Sequence, residues 1–243
     1  HSLIGNKRGD FTTLALARIE SLAPGFKRIG LSATVAKPKL VADWLGPTGE
    51  PAALLEVEDT AKPAINILRS EQRMPFGGFM AKYAIGDIYQ AIAKAATTLV
   101  FVNTRAQAEL LFQLLWSENA LVLPIALYHG SLSKEQRRKT EEMMASGKLR
   151  AIVTTSALEL GIDWGDVDLV IQVGAPKGVS RLLQRIGRAN HRFEEASEAL
   201  LVPANRFEAL ECQAAIEAIN QGARDGALVQ PGAMDIIPQY IIN

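Results

Sequence analysis

The stretch TLVFVNTRAQAELLFQLL, residues 98–115, decides how this chain is expected to fold. Residues 98–102 run without polar–apolar alternation, which is typical of a strand buried on both faces. Thr104 follows, and Gln107 stands three residues later, the spacing of a capping box at a helix start. The helix then has an apolar face formed by Leu110, Leu111, Leu114 and Leu115. A buried strand leading directly into such a helix predicts one unit of a parallel α/β sheet.

The same alternation of strands and helices extends on both sides of this unit. Further strands are predicted at about Arg28–Leu31, Ala53–Val57, Val122–Tyr128, Ala151–Thr155, Leu169–Val173 and Ala199–Val202. Helices are predicted at about Asp10–Leu22 (with Asp10 as N-cap), Pro38–Leu45, Lys82–Ala95, Ser133–Ala145, Ser180–Arg188 and Arg206–Asn220. Non-alternating strands separated by helices indicate an α/β fold, with a parallel sheet covered by helices on both faces.

Composition sets limits on function. The chain has 243 residues, 48% of them hydrophobic and 21% charged, which fits a globular protein with a sizeable core. Lys plus Arg equals Asp plus Glu at 26 each, so any binding of nucleic acid must come from local charge. The single cysteine, Cys212, excludes a disulfide framework and a zinc site built from several cysteines, and it fits a reducing compartment.

Ligands of parallel sheets bind outside the carboxyl ends of the strands. The segments at those ends are Asn103–Arg105, His129–Ser131, Thr155–Ser156 and Gly174–Pro176. Short hydroxyl side chains and backbone N–H groups at helix starts suit phosphate binding. Helix capping alone explains Thr104 and Ser133 when each is taken singly, but several such segments at one edge favour a phosphate-bearing ligand.

The densest cationic segment is QRIGRANHR, residues 184–192. Together with Arg181, its arginines recur at steps of four, three and four, which predicts four guanidiniums near one helix face. No acid stands between Lys177 and Arg192. Such a face suits a nucleoside triphosphate or a phosphodiester backbone, although a solvated surface is the alternative. Gly187 favours a ligand or a turn, because glycine weakens a helix.

Other motifs are ambiguous or absent. In TSALELGID, residues 155–163, Asp163 could bind a ribose hydroxyl, or Gly161 could simply form a turn before the next strand. The nearest match to a phosphate-cradling loop is Gly25 to Ser32, but Leu31 stands where the lysine of such a loop would be. The chain also has no Asp-Glu dipeptide. The three histidines have no ligand spacing, so no metal site is predicted. Dinucleotide and nucleophile-elbow fingerprints are absent, which argues against a small-molecule α/β enzyme.

Taken in order, five segments resemble the later motifs of the superfamily-2 DNA/RNA helicases. They are Ser32–Thr34, Phe101–Arg105, Tyr128–Ser131, Thr155–Asp163 and Gln184–Arg192. The forms LELGID and QRIGRANHR, and the tail LVPANRFE at residues 201–208, resemble the Lhr-like group of large helicases. Within that group the resemblance leans towards the bacterial, ligase-associated DExH type.

The resemblance implies two RecA-like domains, ATP with Mg²⁺ as cofactors, and movement along single-stranded DNA, in the 3′ to 5′ direction, in DNA repair. It assigns residues 1–62 to the end of the first RecA-like domain and residues 63–203 to the second. Residues 204–243 become a helical connector towards a winged-helix domain. His1 would then end the DExH motif, so the phosphate loop would lie upstream and this segment alone would be catalytically inactive. Expected partners are single-stranded, forked or hybrid nucleic acid and ligase and nuclease repair proteins, in the bacterial cytoplasm at the nucleoid.

The resemblance also implies roles for individual residues. It implies catalytic roles for Arg188, Gln184, Arg192 and His1. It implies that the nucleotide is bound by Gly161, Asp163, Gln184 and Arg188. Contacts to the nucleic-acid backbone fall on Thr104, Arg105, Gly130 and Thr155, and coupling of hydrolysis to domain closure falls on Ser32 and Thr34. The family pattern Gly-Arg-x-x-Arg has its second arginine where this chain has His191, and Arg192 follows. Either side chain is therefore a candidate for the second arginine finger, the cation that contacts the phosphates of ATP.

Two other functions remain open from the sequence. The same sheet edge could hold nucleic acid without catalysis, and the neutral net charge then predicts weak, salt-sensitive binding. The motor could also act on RNA instead of DNA.

Overall fold

The computed structural model describes residues 3–32, 35–47, 50–56, 62–78, 80–158, 167–189, 197–225 and 233–242. The chain divides into two compact units. The first combines His1–Glu58 with Ala223–Asn243, and the second is Asp59–Gly222. None of the helices in the described ranges is long and apolar enough to cross a membrane.

The helices and strands alternate through most of the chain. The helices are α1 (Lys7–Leu22), α2 (Pro38–Leu45), α3 (Ile85–Lys94), α4 (Arg105–Ser117), α5 (Lys134–Ala145), α6 (Val179–Ile186), α7 (Arg206–Asn220) and α8 (Ile236–Ile242). The strands are β1 (Ala64–Ile67), β2 (Thr98–Phe101), β3 (Ile125–Tyr128), β4 (Ala151–Thr154), β5 (Leu169–Val173) and β6 (Glu198–Val202). Short 3₁₀ turns occupy Lys82–Ala84 and Ser156–Leu158.

The second unit is built on a six-stranded sheet in the order β1-β6-β5-β2-β4-β3. Every neighbouring pair is parallel. The central strand β2 lies between β4 and β5, with Phe101 level with Thr154 on one side and Gln172 on the other. The predicted α/β fold with a parallel sheet is confirmed.

Helices cover both faces of this sheet because successive side chains of a strand point to opposite faces. Val100 of β2 packs into a cluster with residues of α3 and α4. Leu99 and Phe101 of the same strand pack into a second cluster with residues of α5, α6 and α7. All four residues of β2 are buried, which explains why its sequence lacks the alternation of a half-exposed strand.

The first unit holds α1, α2 and α8. Helix α8 lies against α1, where Lys7 Nζ is 2.5 Å from Asp235 Oδ2 and the Tyr240 hydroxyl donates to Leu14 O at 3.5 Å. The Lys7 ammonium lowers the pKa of the Asp235 carboxyl through this hydrogen bond. Arg28 donates to Gly46 O at 2.9 Å and to Glu20 Oε2 at 3.1 Å, so it ties the segment after α1 to the end of α2.

Several local predictions are wrong. Arg28–Leu31 is not a strand, and Ile29 and Leu31 are 81% and 91% exposed. The described part of the predicted strand at 53–57, residues 53–56, is also not a strand. The N-cap of α1 is Asn6, whose Oδ1 accepts from Gly9 N at 3.0 Å, and Asp10 lies inside the helix. Strand β1 was not predicted at all.

The prediction of four guanidiniums near one helix face is also wrong. Helix α6 ends at Ile186, so the regular spacing of the arginines does not continue as a helix. Gly187 is the C-cap and donates its N–H to Leu183 O at 2.8 Å. Arg185 is buried whereas Arg181 is exposed, so the two guanidiniums do not share one surface. Gly187 lies in a turn, which is one of the two explanations that the sequence offers for this glycine.

Candidate functional site

The segments predicted to bind phosphate come together at one edge of the sheet. Strands β5, β2, β4 and β3 are consecutive neighbours, and all run in the same direction. Their carboxyl ends therefore lie side by side, followed by Gly174–Pro176, Asn103–Arg105, Thr155–Ser156 and His129–Ser131. The sequence does not show that these four strands are neighbours, and the strand order of the sheet does.

Thr104 and Arg105 begin α4. The Thr104 hydroxyl accepts from Gln107 N at 3.2 Å, and Thr104 N donates to Gln107 Oε1 at 3.1 Å, which completes the predicted capping box. Arg105 donates from one guanidinium nitrogen to Ser131 Oγ on the segment after β3. A guanidinium has five N–H donors, so this exposed side chain keeps donors for a phosphate while it is oriented by Ser131.

Gly130 lies at the tip of a turn after β3, which closes where Leu132 N donates to His129 O at 3.1 Å. Gly130 is exposed, and a Cβ added there would meet nothing within 4 Å. The fold itself therefore does not require glycine at this position, and the open space in front of it suits close approach by a ligand backbone. Thr155, at the end of β4, is 9% exposed.

A bracing network that the sequence did not indicate joins the ends of β2, β5 and β6. Asn103 Nδ2 donates to Ala175 O at 2.9 Å. The Glu208 carboxylate accepts from Ala175 N at 3.1 Å and from Ala204 N at 2.8 Å. A Cβ on Gly174 would lie 3.2 Å from Asn103 Nδ2, so glycine keeps this approach close, and its φ of +82° favours glycine as well.

The polar residues at the end of α6 comprise a buried arginine and two partly accessible side chains. The Arg185 guanidinium lies 5.0 Å from the centroid of the Phe101 ring and donates to Gln172 Oε1 in the core. Gln184 and Arg188 are half-buried and thus keep part of their surfaces accessible. The assignment of Gln184 and Arg188 to the terminal phosphate of a nucleotide stays a prediction.

The other candidates are placed less completely. Ser32 is exposed and follows the non-strand segment of the first unit. Six assigned or candidate residues lie outside the described residues: His1, Thr34, Gly161, Asp163, His191 and Arg192. Among the residues that the structure describes, no three His, Cys, Asp or Glu side chains come together as a metal site.

Two groups with a raised pKa lie in the same buried core cluster. Burial, with a hydrogen bond to Glu141, raises the pKa of Tyr128 to about 12, and its hydroxyl lies 2.6 Å from Glu141 Oε1. Burial raises the pKa of the Cys212 thiol to about 12 as well, so the thiol stays protonated at neutral pH and is no nucleophile.

Comparisons with known proteins show which family the chain resembles. Residues 83–193 match the family described as the helicase conserved C-terminal domain. The chain is 36% identical over 256 residues to an ATP-dependent helicase Lhr-Core of Methanothermobacter thermautotrophicus, across 99% of this chain and 29% of that protein. It is 32% identical to a Lhr helicase/probable uracil glycosylase of Mycolicibacterium smegmatis, across 100% of this chain and 18% of that protein. The chain thus spans less than a third of either relative.

Solved structures give the same result. The structure of the Mycobacterium smegmatis helicase Lhr bound to ssDNA and AMP-PNP matches with a TM-score of 0.87 and 34% identity, over 100% of this chain and 32% of that chain. A DUF1998 helicase, MrfA, bound to DNA and AMPPNP matches over 99% of this chain and 35% of that chain, with a TM-score of 0.72. At 22% identity, this second likeness concerns the fold alone.

Proposed function

Since the chain belongs to the Lhr-like group of superfamily-2 helicases, we propose that it is the part of an ATP-dependent DNA helicase that couples ATP hydrolysis to movement along single-stranded DNA. The observation that carries the proposal is the side-by-side placement of Asn103–Arg105, His129–Ser131 and Thr155 at the carboxyl edge of one sheet. One relative of known structure, 34% identical to this chain, was solved with ssDNA and AMP-PNP.

At this edge the phosphodiester backbone meets one guanidinium, short hydroxyl side chains and little side-chain bulk. Arg105, held by Ser131, donates to one phosphate, and the bare Cα of Gly130 allows the strand to approach closely. Such contacts to phosphate position a strand without reading its sequence, which is what a translocating enzyme requires. Thr104 and Thr155 complete the proposed set.

Gln184 and Arg188 are proposed to contact the terminal phosphate of ATP. When bound, Mg²⁺-ATP supplies the phosphoryl group, and negative charge spreads over the oxygens during its transfer. A guanidinium held at a fixed position stabilises that charge without reorganising. Arg188 follows the C-cap of α6 directly, and the buried Arg185 one turn earlier anchors this end of the helix. The remaining proposed residues take part in catalysis, bind the nucleotide, or couple hydrolysis to domain closure. They are His1 with Arg192 or His191, then Gly161 and Asp163, and finally Ser32 and Thr34.

Replacing Arg188 tests the proposal. In the longer polypeptide that supplies a phosphate loop, Arg188→Ala is expected to lower DNA-stimulated ATP turnover by about a thousandfold or more, with the affinity for single-stranded DNA unchanged. Arg181→Ala, which removes an exposed arginine of the same helix, is the matched control and should leave turnover intact. Normal turnover in Arg188→Ala would refute the assignment.

The remaining features of the proposal follow from the resemblance. They are 3′ to 5′ movement, membership of the DExH type, a role in DNA repair, partnership with ligase and nuclease proteins, and a cytoplasmic, nucleoid-associated location. Residues 1–62 and 63–203 are proposed as parts of two RecA-like domains, and residues 204–243 as a connector. The 243-residue chain alone is proposed to bind DNA weakly and not to hydrolyse ATP.

A further inference from the structure

We propose that Glu109, acting through His129, is a positioning residue for single-stranded DNA binding, because it holds the turn that presents Gly130. The inference rests on the proposed function and adds to it a residue that contacts neither DNA nor ATP. It follows from the way one face of α4 contacts both ends of the segment after β3.

Arg105 and Glu109 stand four residues apart on α4, so they lie on the same side of the helix, one turn apart. Arg105 reaches Ser131 Oγ. Glu109 Oε1 lies 3.3 Å from His129 Nε2. The helix therefore contacts the residues immediately before and after Gly130, and it leaves Gly130 itself exposed between them.

His129 links these two contacts. Its side chain is 4% exposed, and Ser131 N donates to its Nδ1 at 3.3 Å. A ring nitrogen that accepts a hydrogen bond carries no proton, so in the neutral imidazole the proton is on Nε2, the nitrogen facing Glu109. The ring thus spans the turn from the inside, with one nitrogen bound to the turn and the other directed at α4.

Within the described residues, the Glu109 carboxylate is the group that lies beside His129 Nε2. The nitrogen is buried and makes no hydrogen bond of standard geometry within the described ranges, and the Glu109 carboxylate at 3.3 Å is the acceptor within reach. An unsatisfied buried N–H is unfavourable, so removing the carboxylate favours rotation of the ring, which breaks the contact to Ser131 N. The turn then loses its internal brace and Gly130 loses its fixed position.

The side chain of Glu109 is 57% exposed, so its replacement changes the turn without opening a cavity in the core. We expect Glu109→Ala to weaken binding of a fluorescein-labelled oligothymidylate roughly three- to tenfold, because the buried Nε2–H loses its nearby acceptor. Glu109→Gln keeps an oxygen acceptor for Nε2–H and should restore most of the affinity. Glu118→Ala removes a carboxylate at the other end of α4 and should bind as the wild type does.

Two further measurements separate positioning from a general structural effect. The urea midpoint of Glu109→Ala should stay close to that of the wild type. The ¹⁵N shifts of the His129 ring should change from a fixed Nε2–H tautomer to a mixture of tautomers in Glu109→Ala only. If the wild type binds the oligonucleotide and Glu109→Ala binds equally well, the positioning role is wrong while the proposed function stands. If the wild type does not bind, the proposed function itself fails, and the positioning role with it.

Discussion

At the scale of single residues, Arg185 shows how a cationic motif can serve two purposes. A guanidinium buried at 3% exposure must exchange water for other partners. Here the Gln172 side chain accepts one N–H, and the Phe101 ring lies under the planar group. Gln172 is itself fully buried on β5, so the pair joins α6 to the sheet from within the core. This anchor fixes the end of α6 from which Arg188 follows.

The burial of Arg185 gives a direct prediction about stability. Arg185→Ala should lower the free energy of unfolding by about 2–4 kcal/mol, because a hydrogen bond of a charged group and a desolvated cation–π contact are both lost. Arg181→Ala, at an exposed position of the same helix, should change the free energy of unfolding by no more than about 0.5 kcal/mol. Urea unfolding of the two variants measures the difference. Similar unfolding free energies would contradict the burial of Arg185 described above.

The arginine spacing could not reveal this difference. Steps of four, three and four describe a face only while the helix continues, and α6 ends at Ile186. The partner of Arg185 is 13 residues away in sequence, on a strand where a glutamine gives no local signal. The nucleotide roles predicted for Gln184 and Arg188 come from the family resemblance and not from the spacing.

At the scale of elements, predictions succeeded where the signal is local. The capping box of Thr104 with Gln107 forms as predicted, Ser133 is the N-cap of α5, and α2 has the predicted bounds. A cap depends only on residues within one turn. A strand instead depends on a partner. Arg28–Leu31 has the apolar character of a strand and no strand beside it within the described residues, whereas β1 has a polar Asn66 and still pairs with β6.

The cap of α4 allows a test that separates folding from binding. Asp is as good an N-cap as Thr, so Thr104→Asp should keep the free energy of unfolding within about 0.5 kcal/mol of the wild type. A carboxylate next to the proposed phosphate site should weaken single-stranded DNA binding about tenfold or more by like-charge repulsion. Oligonucleotide titration and urea unfolding of the same variant measure both effects. Asn6→Asp adds the same charge at the N-cap of α1, in the first unit, and is the control for the change in net charge. Unchanged binding in Thr104→Asp would remove Thr104 from the proposed contacts.

At the scale of the whole molecule, the balance of 26 basic and 26 acidic residues decides how the chain can bind a polyanion. A neutral protein exerts little long-range attraction on DNA, so affinity must come from the few donors at the carboxyl edge. Each phosphate neutralised on a single strand contributes about −0.7 to the slope of log K against log salt. The slope therefore counts the cationic contacts that actually form, irrespective of the net charge of the protein.

Two variants that each remove one positive charge can separate the effect of a charge's position from the effect of net charge on DNA binding. Arg105→Ala should reduce the magnitude of the salt slope by about 0.7, because Arg105 is the charged side chain among the proposed DNA contacts. Lys94 ends α3 and borders a cavity at the amino ends of β1, β5 and β6, at the opposite edge of the sheet. Lys94→Ala changes the net charge by the same amount and should leave the slope unchanged. Titrations between 50 and 200 mM salt, the range over which such contacts weaken measurably, make the comparison. If both variants shift the slope equally, binding follows the overall charge of the protein, and the carboxyl edge is not the site that holds the strand.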